Sequence, residues 1–392
     1  MKKTLLRSLK HPVAIAMWDF SWLLRSYAGG GFEDIEKALD ELAERGYNAV
    51  RIDCFPHLVS CDDREEFFFS YNPETCSIWH HEQDVTVNPK EGLKKLLTGC
   101  RKRGIYVGLS TWIQWPDERT KLDSREDFIN AWEKTIRFLR ENDLWHNILY
   151  VDFLNEYPYW HGFSALKAAA GKADKRIFHS VSESNMQNLN IYKFGRKGKK
   201  YLRDFSTEVI KYFSSIWDDV DYGFCITTNA NKFRPDQVAD FSVFCFFDLH
   251  LWFAHYKNMW SLQTELEKAN SPEEWNEVIL KIEKRWEKDG KRITKWMEKN
   301  FRKHRRWAEK YNAPVGNTEG WGFVAWPTHA ENWEYQKMAS EICVNLAIKY
   351  NYSFICTTNF THPYFSALWK DVQWHRKMTS LIKSAHIDRE YR

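Results

Sequence analysis

Two short motifs place a carboxylate among aromatic rings: FLNEYPYW over residues 153–160 and NTEGWG over residues 317–322. The carboxylates are Glu156 and Glu319. Cleavage of an acetal needs an acid that protonates the leaving oxygen and a second carboxylate that stabilises or attacks the cationic carbon. Aromatic rings offer flat apolar surfaces on which the apolar faces of sugars pack. The two motifs therefore predict acid–base and nucleophilic chemistry on an acetal.

Short β-type runs alternate with longer helical patterns along the chain. The runs carry Val, Ile, Phe and Cys in near-continuous stretches, as strands buried on both faces do. We expect strands at 13–22, 48–55, 105–113, 148–154, 222–228, 241–251, 314–318 and 352–358. Eight β units separated mostly by helices predict an α/β fold, the (β/α)8 TIM barrel with long βα loops. An open doubly wound sheet is the main competitor, but no Gly-rich phosphate-binding turn follows the first strand.

No linker rich in Pro, Gly or Ser divides the chain, so we expect one catalytic barrel domain over residues 1–392. The barrel proper would span about 13–370. In such a barrel, functional side chains project from the carboxyl ends of the strands. Besides the two glutamates, this rule and the motifs select ten substrate-binding candidates. They are Trp18, Asp19, Arg51, Trp112, Asn155, Asn229, His250, Trp252, Trp321 and Asn359.

The two candidates Asn229 and Asn359 end a repeated pattern, FCITTN at 224–229 and FICTTN at 354–359. Both would point toward the mouth of the barrel. Equal packing demands on two strands would also explain the repetition, and we prefer that explanation.

Four strand ends resemble motifs of a known enzyme family. Asn155-Glu156 after the fourth strand and Glu319 after the seventh resemble the catalytic residues of the retaining glycoside hydrolases of clan A. VRI at 50–52 and DLHLW at 248–252 are similar to the second and sixth strands of the cellulase-like members around glycoside hydrolase family 5. The resemblance implies a retaining β-glycosidase.

The resemblance also implies roles for individual residues. Glu156 would be the acid/base, Glu319 the nucleophile, and Asn155 would hold the 2-hydroxyl of the sugar. Glu319 must be ionised to attack, and Arg51 nearby would keep its pKa low. Glu156 must begin protonated, and the rings within 157–160 would disfavour its charge.

Each candidate also has a structural alternative. Either carboxylate could cap a helix or pair with an arginine, Arg51 could be an ion-pair partner inside the barrel, and His250 could be a core histidine. As many as half of the strand-end tryptophans could be core, and Asp19 could close a turn. His80 and His81 are neighbours in a loop without a third ligand, so we assign no metal and no cofactor.

The aromatic content is high, with 20 Trp, 18 Tyr and 26 Phe in 392 residues, whereas the net charge is only +4. Residues 281–310 carry 13 Lys and Arg against 5 Asp and Glu. Apolar residues recur there at helical spacing from Trp286 to Ala308, so we expect an outer helix with a solvated basic side. The small overall excess of positive charge argues against nucleic acid as the partner.

The eight cysteines form no CxxC pair, and no apolar run is long enough for a membrane span. Arg7, Lys10 and Pro12 interrupt the N-terminal apolar stretch, so we expect a reduced, cytoplasmic protein. Inside a cell, the substrate would be a short oligosaccharide, and loops at 56–88 and 157–198 would close the cleft into an exo-acting pocket. Transglycosylation and sugar binding without catalysis are the alternatives. The oligomeric state is left open.

Overall fold

The fold is built on parallel strands, shown by a computed structural model that describes residues 3–71, 81–158, 196–227, 234–257, 259–323 and 332–388. In chain order the strands are β1 (Val13–Asp19), β2 (Ala49–Asp53), β3 (Phe67–Phe69), β4 (Val85–Val87), β5 (Tyr106–Ser110), β6 (Ile148–Asp152), β7 (Asp221–Gly223), β8 (Ile226–Thr227), β9 (Phe247–Trp252), β10 (Val315–Asn317), β11 (Gly320–Trp321) and β12 (Phe354–Cys356). The strands of the main sheet are buried on both faces, which explains their near-continuous apolar sequences.

The main sheet curls into a closed ring. Its parallel pairings run in the order β9, β10, β12, β1, β2, β5, β6 and β7, and β8 pairs with β9. Because only Phe224 and Cys225 separate β7 from β8, these two short strands share the fifth position and close the ring. β11 extends the seventh position and also pairs with β9. These eight positions confirm the (β/α)8 barrel expected from the sequence.

Helices follow most of the strands and form the outer layer. In chain order they are Leu5–Ser8, Ser21–Leu24, Ile35–Glu44, Pro56–Val59, Pro89–Lys102, Arg125–Glu141, Arg196–Ile216, Trp260–Lys268, Pro272–Tyr311, Glu334–Lys349, Ser366–Trp369 and Val372–Ser384. Five of the longer helices begin at a polar side chain that accepts a hydrogen bond from the backbone N–H three residues further on. These capping residues are Asp34, Asn88, Ser124, Ser271 and Asp371.

The helix Pro272–Tyr311 contains the basic segment found in the sequence. Its residues Ile293, Met297 and Phe301 are fully buried, and Trp286 is partly buried against the core. The apolar helix face predicted within 281–310 is therefore confirmed. Among the described residues, no helix is both long enough and apolar enough to cross a membrane.

The strands are shorter than the sequence predicts, and for two of them the structure shows why. β1 ends at Asp19 rather than at residue 22, because the Asp19 carboxylate accepts the backbone N–H of Ser21 and a short helix begins there. β9 begins at Phe247 rather than at residue 241. The preceding rings of Phe241 and Phe244 pack edge to face on each other, and both contact Phe247, so this aromatic stretch is core without being a strand.

The connection at 56–88, expected as a loop, contains regular structure. It begins with the helix Pro56–Val59 and continues into the antiparallel pair β3–β4. Phe67 and Phe69 of β3 are buried and Phe68 between them is exposed, which is the alternation of a strand pair with one covered face. Residues 72–80, within this connection, lie outside the described part of the chain.

Candidate active site

Glu156 and Glu319 lie at the mouth formed by the carboxyl ends of the barrel strands. Glu156 follows β6 in a left-handed backbone conformation with φ 44°, and its N–H donates to Cys225 Sγ at 2.9 Å. Glu319 lies between β10 and β11. The preceding Thr318 donates its backbone N–H and its hydroxyl to Asp248 at 3.0 and 2.6 Å, which fixes this segment against β9.

The two carboxylates face each other beside one imidazole ring. A carboxylate oxygen of Glu156, one of Glu319 and a ring nitrogen of His250 all lie within 4.8 Å of one another. Nδ1 of His250 is 3.1 Å from Glu156 Oε1 and 3.6 Å from Glu319 Oε2. The hydroxyl of Thr227 also donates to Glu156 Oε1. The structure thus brings together three of the residues selected from the sequence.

Arg51 is completely buried beneath this pair and connects it to the barrel interior. Its Nη1 donates to Glu319 Oε1 at 2.7 Å, and its Nη2 donates to Asp152 Oδ2 and Asn155 Oδ1, both at 2.7 Å. The guanidinium carbon lies 4.7 Å from the ring centre of Trp112. Arg51, on β2, therefore contacts groups at the carboxyl ends of three other strands, β5, β6 and β10.

His250 governs the charge of the site. Burial would lower the pKa of His250, but the carboxylates of Glu319 and Asp248 raise it well above its usual range, which favours the charged imidazolium form. Burial would raise the pKa of Glu156, yet the hydrogen bond and charge of His250 bring it below its usual value. Burial raises the pKa of Glu319, and the neighbouring Glu156 raises it further, against the opposing effects of His250 and Arg51.

These directions are the reverse of those expected from the sequence, where the pKa of Glu319 was to be low and that of Glu156 high. For Glu319 the reason is burial, which outweighs Arg51 and His250. For Glu156 it is the position of His250, whose N–H lies closer to that carboxylate and favours its charged form. Tyr157 directs its hydroxyl to Leu202 O at 2.5 Å. The rings at positions 159 and 160 lie outside the described residues.

Two groups of possible metal ligands occur among the described residues, and both include His250. One consists of Glu156, His250 and Glu319, and the other of Cys225, Asp248 and His250. A protonated imidazole has no free lone pair for a metal ion, and the charged form of His250 is the one that its neighbours favour. The expectation that the site holds no metal stays a prediction. Of the adjacent pair considered in the sequence, His80 lies outside the described residues.

Comparison with known families agrees with this arrangement. A family model described as sugar-binding cellulase-like matches residues 15–383. The chain belongs to the cellulase-like family. The match confirms the resemblance to cellulase-like members of clan A that the strand ends indicated. None of the curated proteins matches the sequence.

Solved structures show which folds the cellulase-like chain is similar to. A candidate glycoside hydrolase from Parabacteroides distasonis superposes with a TM-score of 0.79 at 26% identity, covering 97% of this chain and 96% of that chain. The exo-β-1,4-mannosidase of Opitutaceae bacterium strain TAV5 superposes with a TM-score of 0.50 at 9% identity, covering 95% of this chain and 60% of that chain. A β-glycosidase matches with the same TM-score and identity and covers 95% and 96%. The last two likenesses show the barrel fold alone.

All four tryptophans selected from the sequence are buried in the cellulase-like barrel. Trp18 donates its indole N–H to Thr361 O at 3.0 Å, and Trp321 donates to Cys356 O at 3.1 Å. Trp321 also packs on Phe301 of the long helix, with ring centres 5.4 Å apart. The contacts of these two tryptophans therefore lie within the barrel wall.

Trp112 and Trp252 are closer to the carboxylates. The ring of Trp112 faces Arg51, as described above, and meets the ring of Phe20 edge to face at 5.9 Å. Trp252 ends β9 two residues after His250, so both side chains lie on the same face of that strand. A role of these two rings at the site stays a prediction.

The polar candidates Asp19 and Asn359 lie at the ends of the neighbouring strands β1 and β12, and both are fully buried. Burial raises the pKa of Asp19 to about 8, with a further contribution from the charge of Glu319. The backbone N–H of Asn359 donates to Gly320 O, beside the catalytic candidate Glu319. Asn229 lies outside the described residues.

Sequence reasoning missed four side chains of the site. Asp152 accepts hydrogen bonds from Arg51 and from Ser110 Oγ at 2.6 Å, and its Oδ1 accepts the backbone N–H of Cys225 at 2.8 Å. Cys225 Sγ lies 3.1 Å from Arg51 Nη2, and Thr227 binds the carboxylate after β6. One signal was present in the sequence: Asp152 interrupts the apolar run ILYVDFL, and a carboxylate buried in a strand requires a cationic partner.

Proposed function

We propose that this cellulase-like protein is a glycoside hydrolase that cleaves β-linked oligosaccharides with retention of configuration. The observation that carries the proposal is the short separation of Glu156 and Glu319, whose nearest described oxygens lie within 4.8 Å. Retaining glycosidases hold their two carboxyl groups about 5–5.5 Å apart, whereas inverting enzymes leave about 6.5–9.5 Å for a water molecule. The separation supports direct attack by one carboxylate on the sugar.

The proposed reaction has two displacements. In the first, an oxygen of Glu319 bonds to the anomeric carbon, the bond to the leaving oxygen breaks, and Glu156 gives its proton to that oxygen. In the second, Glu156 takes a proton from water, and the water oxygen displaces Glu319 from the anomeric carbon. Glu156 ends protonated and Glu319 ionised, as at the start.

Arg51 and His250 are proposed to control the proton of the carboxylate pair. Arg51 donates to Glu319 Oε1 at 2.7 Å, which leaves Oε2 as the attacking atom. The imidazolium N–H of His250 faces both carboxylates, at 3.1 and 3.6 Å. A small movement of the ring toward Glu319 would lower the pKa of the nucleophile and allow Glu156 to hold the proton.

We further propose short glycans, attacked from a chain end in the cytoplasm, as the substrates. The side chain of Glu156 is 21% exposed and that of Glu319 is 8% exposed, so the site is more open toward the proposed leaving group. Asn155, Trp112 and Trp252 are the proposed sugar contacts nearest the reacting atoms. One fold relative is named an exo-β-1,4-mannosidase, so β-mannosides belong beside β-glucosides in the first substrate panel.

Hydrolysis of 4-nitrophenyl β-glycosides tests the proposal. The wild-type protein should release nitrophenol from at least one of them. Glu319→Gln should lose activity by at least about a thousandfold, because an amide cannot attack the anomeric carbon. The variant should still bind the matching methyl β-glycoside in calorimetry, since its shape is preserved. Glu309→Gln, on the exposed face of the long helix, is the matched control and should equal the wild type.

Three outcomes would change the proposal. Equal activity of Glu319→Gln and wild type would remove the nucleophile assignment. Transfer of the sugar to an added alcohol in preference to water would indicate a transglycosidase. Sugar binding without turnover in the wild type would indicate a binding barrel.

A further inference from the structure

The side chain and backbone of Glu82 connect three segments on one side of the barrel mouth. Glu82 Oε2 is 3.2 Å from Arg25 Nη2, and Glu82 Oε1 accepts the hydroxyl of Tyr364 at 3.0 Å. The backbone N–H of Glu82 donates to the hydroxyl of Tyr27 at 2.9 Å. Arg25 and Tyr27 follow β1, Tyr364 follows β12, and Glu82 lies between β3 and β4 in the connection after β2. We call these four residues the Glu82 clasp.

The clasp is packed as well as hydrogen-bonded. The Arg25 guanidinium is completely buried and lies over the ring of Tyr364, 3.4 Å from its centre. A guanidinium held between an aromatic face and a carboxylate loses much of its freedom, so the pair is well ordered. The segments after β1 and β12 also approach closely at Gly31, where a Cβ would meet Tyr364 N at 3.1 Å.

The segment that carries Glu82 is itself anchored on both sides. The Asp84 carboxylate accepts the backbone N–H of Tyr71 at 2.7 Å, and the ring of His81 contacts that of Phe69 in β3. On the opposite side, Arg64 pairs with Asp117 after β5 at 2.6 Å. The described part of this connection is therefore fixed between the segments after β5 and those after β1 and β12.

The clasp lies over the part of the mouth that is closed to solvent. β12 is the neighbour of β10, which leads to Glu319, and β1 and β2 follow it in the ring. At the ends of β12 and β1 the side chains of Asp19, Asn359 and His362 are 1%, 0% and 1% exposed. The site is thus covered beyond Glu319 on the side of the clasp, whereas the side chain of Glu156 is partly exposed.

We infer that the Glu82 clasp forms the end wall of the glycone side of the cleft and limits that side to a short, chain-terminal sugar. This inference rests on the proposed function, because it uses the assignment of Glu319 as the group that bonds to the glycone. A glycone attached to Glu319 would extend toward β12 and β1, where the clasped segments block a longer chain. The clasp residues act by shaping the cleft and not by touching the reacting atoms.

The test compares 4-nitrophenyl β-glucoside and β-mannoside with the corresponding 4-nitrophenyl cellobioside and mannobioside. Chromatography measures release of the intact disaccharide, which requires space for two sugars on the glycone side. The wild type should prefer the monoside. Glu82→Ala should raise the ratio of kcat/KM for the bioside over that for the monoside by about tenfold, because the end wall opens.

Three further variants distinguish an effect of the clasp on this ratio from a general loss of stability. Tyr364→Phe removes one hydrogen bond and keeps the ring under Arg25, so it should change the ratio less than Glu82→Ala. Glu82→Gln removes the ion pair with little change of shape and decides the question if Glu82→Ala does not fold. Glu66→Ala, an exposed carboxylate in the same connection, is the matched control and should leave the ratio unchanged.

An unchanged ratio in both Glu82 variants, in a wild type that hydrolyses the monoside, would overturn the end wall alone. Efficient disaccharide release by the wild type would overturn it as well. A wild type inactive on all four compounds would instead contradict the proposed function on which the inference rests.

Discussion

At the scale of single residues, the position of one proton distinguishes the two glutamates. Their chemical groups are identical, so in the proposed mechanism their environment must decide which one attacks and which one donates. The environment here centres on His250, whose ring nitrogens face Glu156, Glu319 and Asp248 within 3.7 Å. The sequence indicated the two glutamates and His250, but it could not indicate that the ring of His250 lies nearer to Glu156.

The pH dependence of activity should depend on the positive charge of His250. His250→Gln removes a positive charge that lowers the pKa of Glu156 and opposes the rise in the pKa of Glu319. Both carboxyl groups should then titrate at higher pH. Both limbs of the pH profile of kcat/KM should therefore move toward higher pH, by about one unit or more. The measurement is the rate on the best aryl glycoside across the pH range.

His146→Gln is the matched control for this prediction. His146 is an exposed histidine paired with Asp143 and lies before the start of β6, at the opposite end of that strand from Glu156, so its loss should leave the profile in place. An unmoved profile in His250→Gln would mean that the ring is neutral in the working enzyme.

At the scale of elements, Arg51 connects strands whose carboxylates would otherwise repel each other. From β2 it binds Asp152 at the end of β6 and Glu319 after β10, both at 2.7 Å. Without the guanidinium, two carboxylates would remain buried in the barrel without their main cation. The network is therefore a condition for the barrel to close around a charged site.

Removal of the Arg51 cation should destabilise the fold and lower the activity. Arg51→Met should lower the free energy of unfolding by about 3–5 kcal/mol, because it leaves buried carboxylates uncompensated. Arg101→Met is the matched control, since it breaks an exposed pair with Asp143 and should cost less than about 1 kcal/mol. Urea denaturation measures both. Equal losses in the two variants would contradict a structural role of the buried network.

The elements also show how far the sequence could predict the fold. The eight strand positions were predictable, because parallel strands buried on both faces are near-continuously apolar and helices separate them. The division of the fifth strand into β7 and β8 was not, because it depends on a contact distant in sequence. Asp152 of β6 accepts the backbone N–H of Cys225 at 2.8 Å, where a strand hydrogen bond would otherwise form. The β3–β4 pair was missed because each strand has only three residues.

At the scale of the whole molecule, the aromatic rings and the basic charges have separate explanations. Many rings belong to the layer between barrel and helices, as Phe301 and Trp321 do, so the high ring count is not in itself a sign of sugar binding. The basic side of the helix Pro272–Tyr311 is partly neutralised by nearby carboxylates, for example by the pairs Arg285–Asp289 and Arg305–Glu309. This supports the expected solvated face, and the absence of a nucleic-acid partner stays a prediction.

The site was predictable to the extent that it depends on strand ends. The barrel brings the carboxyl ends of its strands to one mouth, so Arg51, Glu156, His250 and Glu319 had to converge once their strands were recognised. The order of the pKa values of Glu156 and Glu319 and the burial of Trp18 depend on small differences in interatomic distance. Residue types and their spacing in the sequence do not determine those distances.

Glu156 and Glu319 are proposed to act together in two displacements. This mechanism is tested most directly by proton NMR of the sugar first released from an aryl β-glycoside that the protein hydrolyses, recorded before the anomers equilibrate. Two successive inversions at one carbon restore its configuration, so the β-anomer should appear first. The α-anomer appearing first would contradict the account, because it would require a single displacement by water.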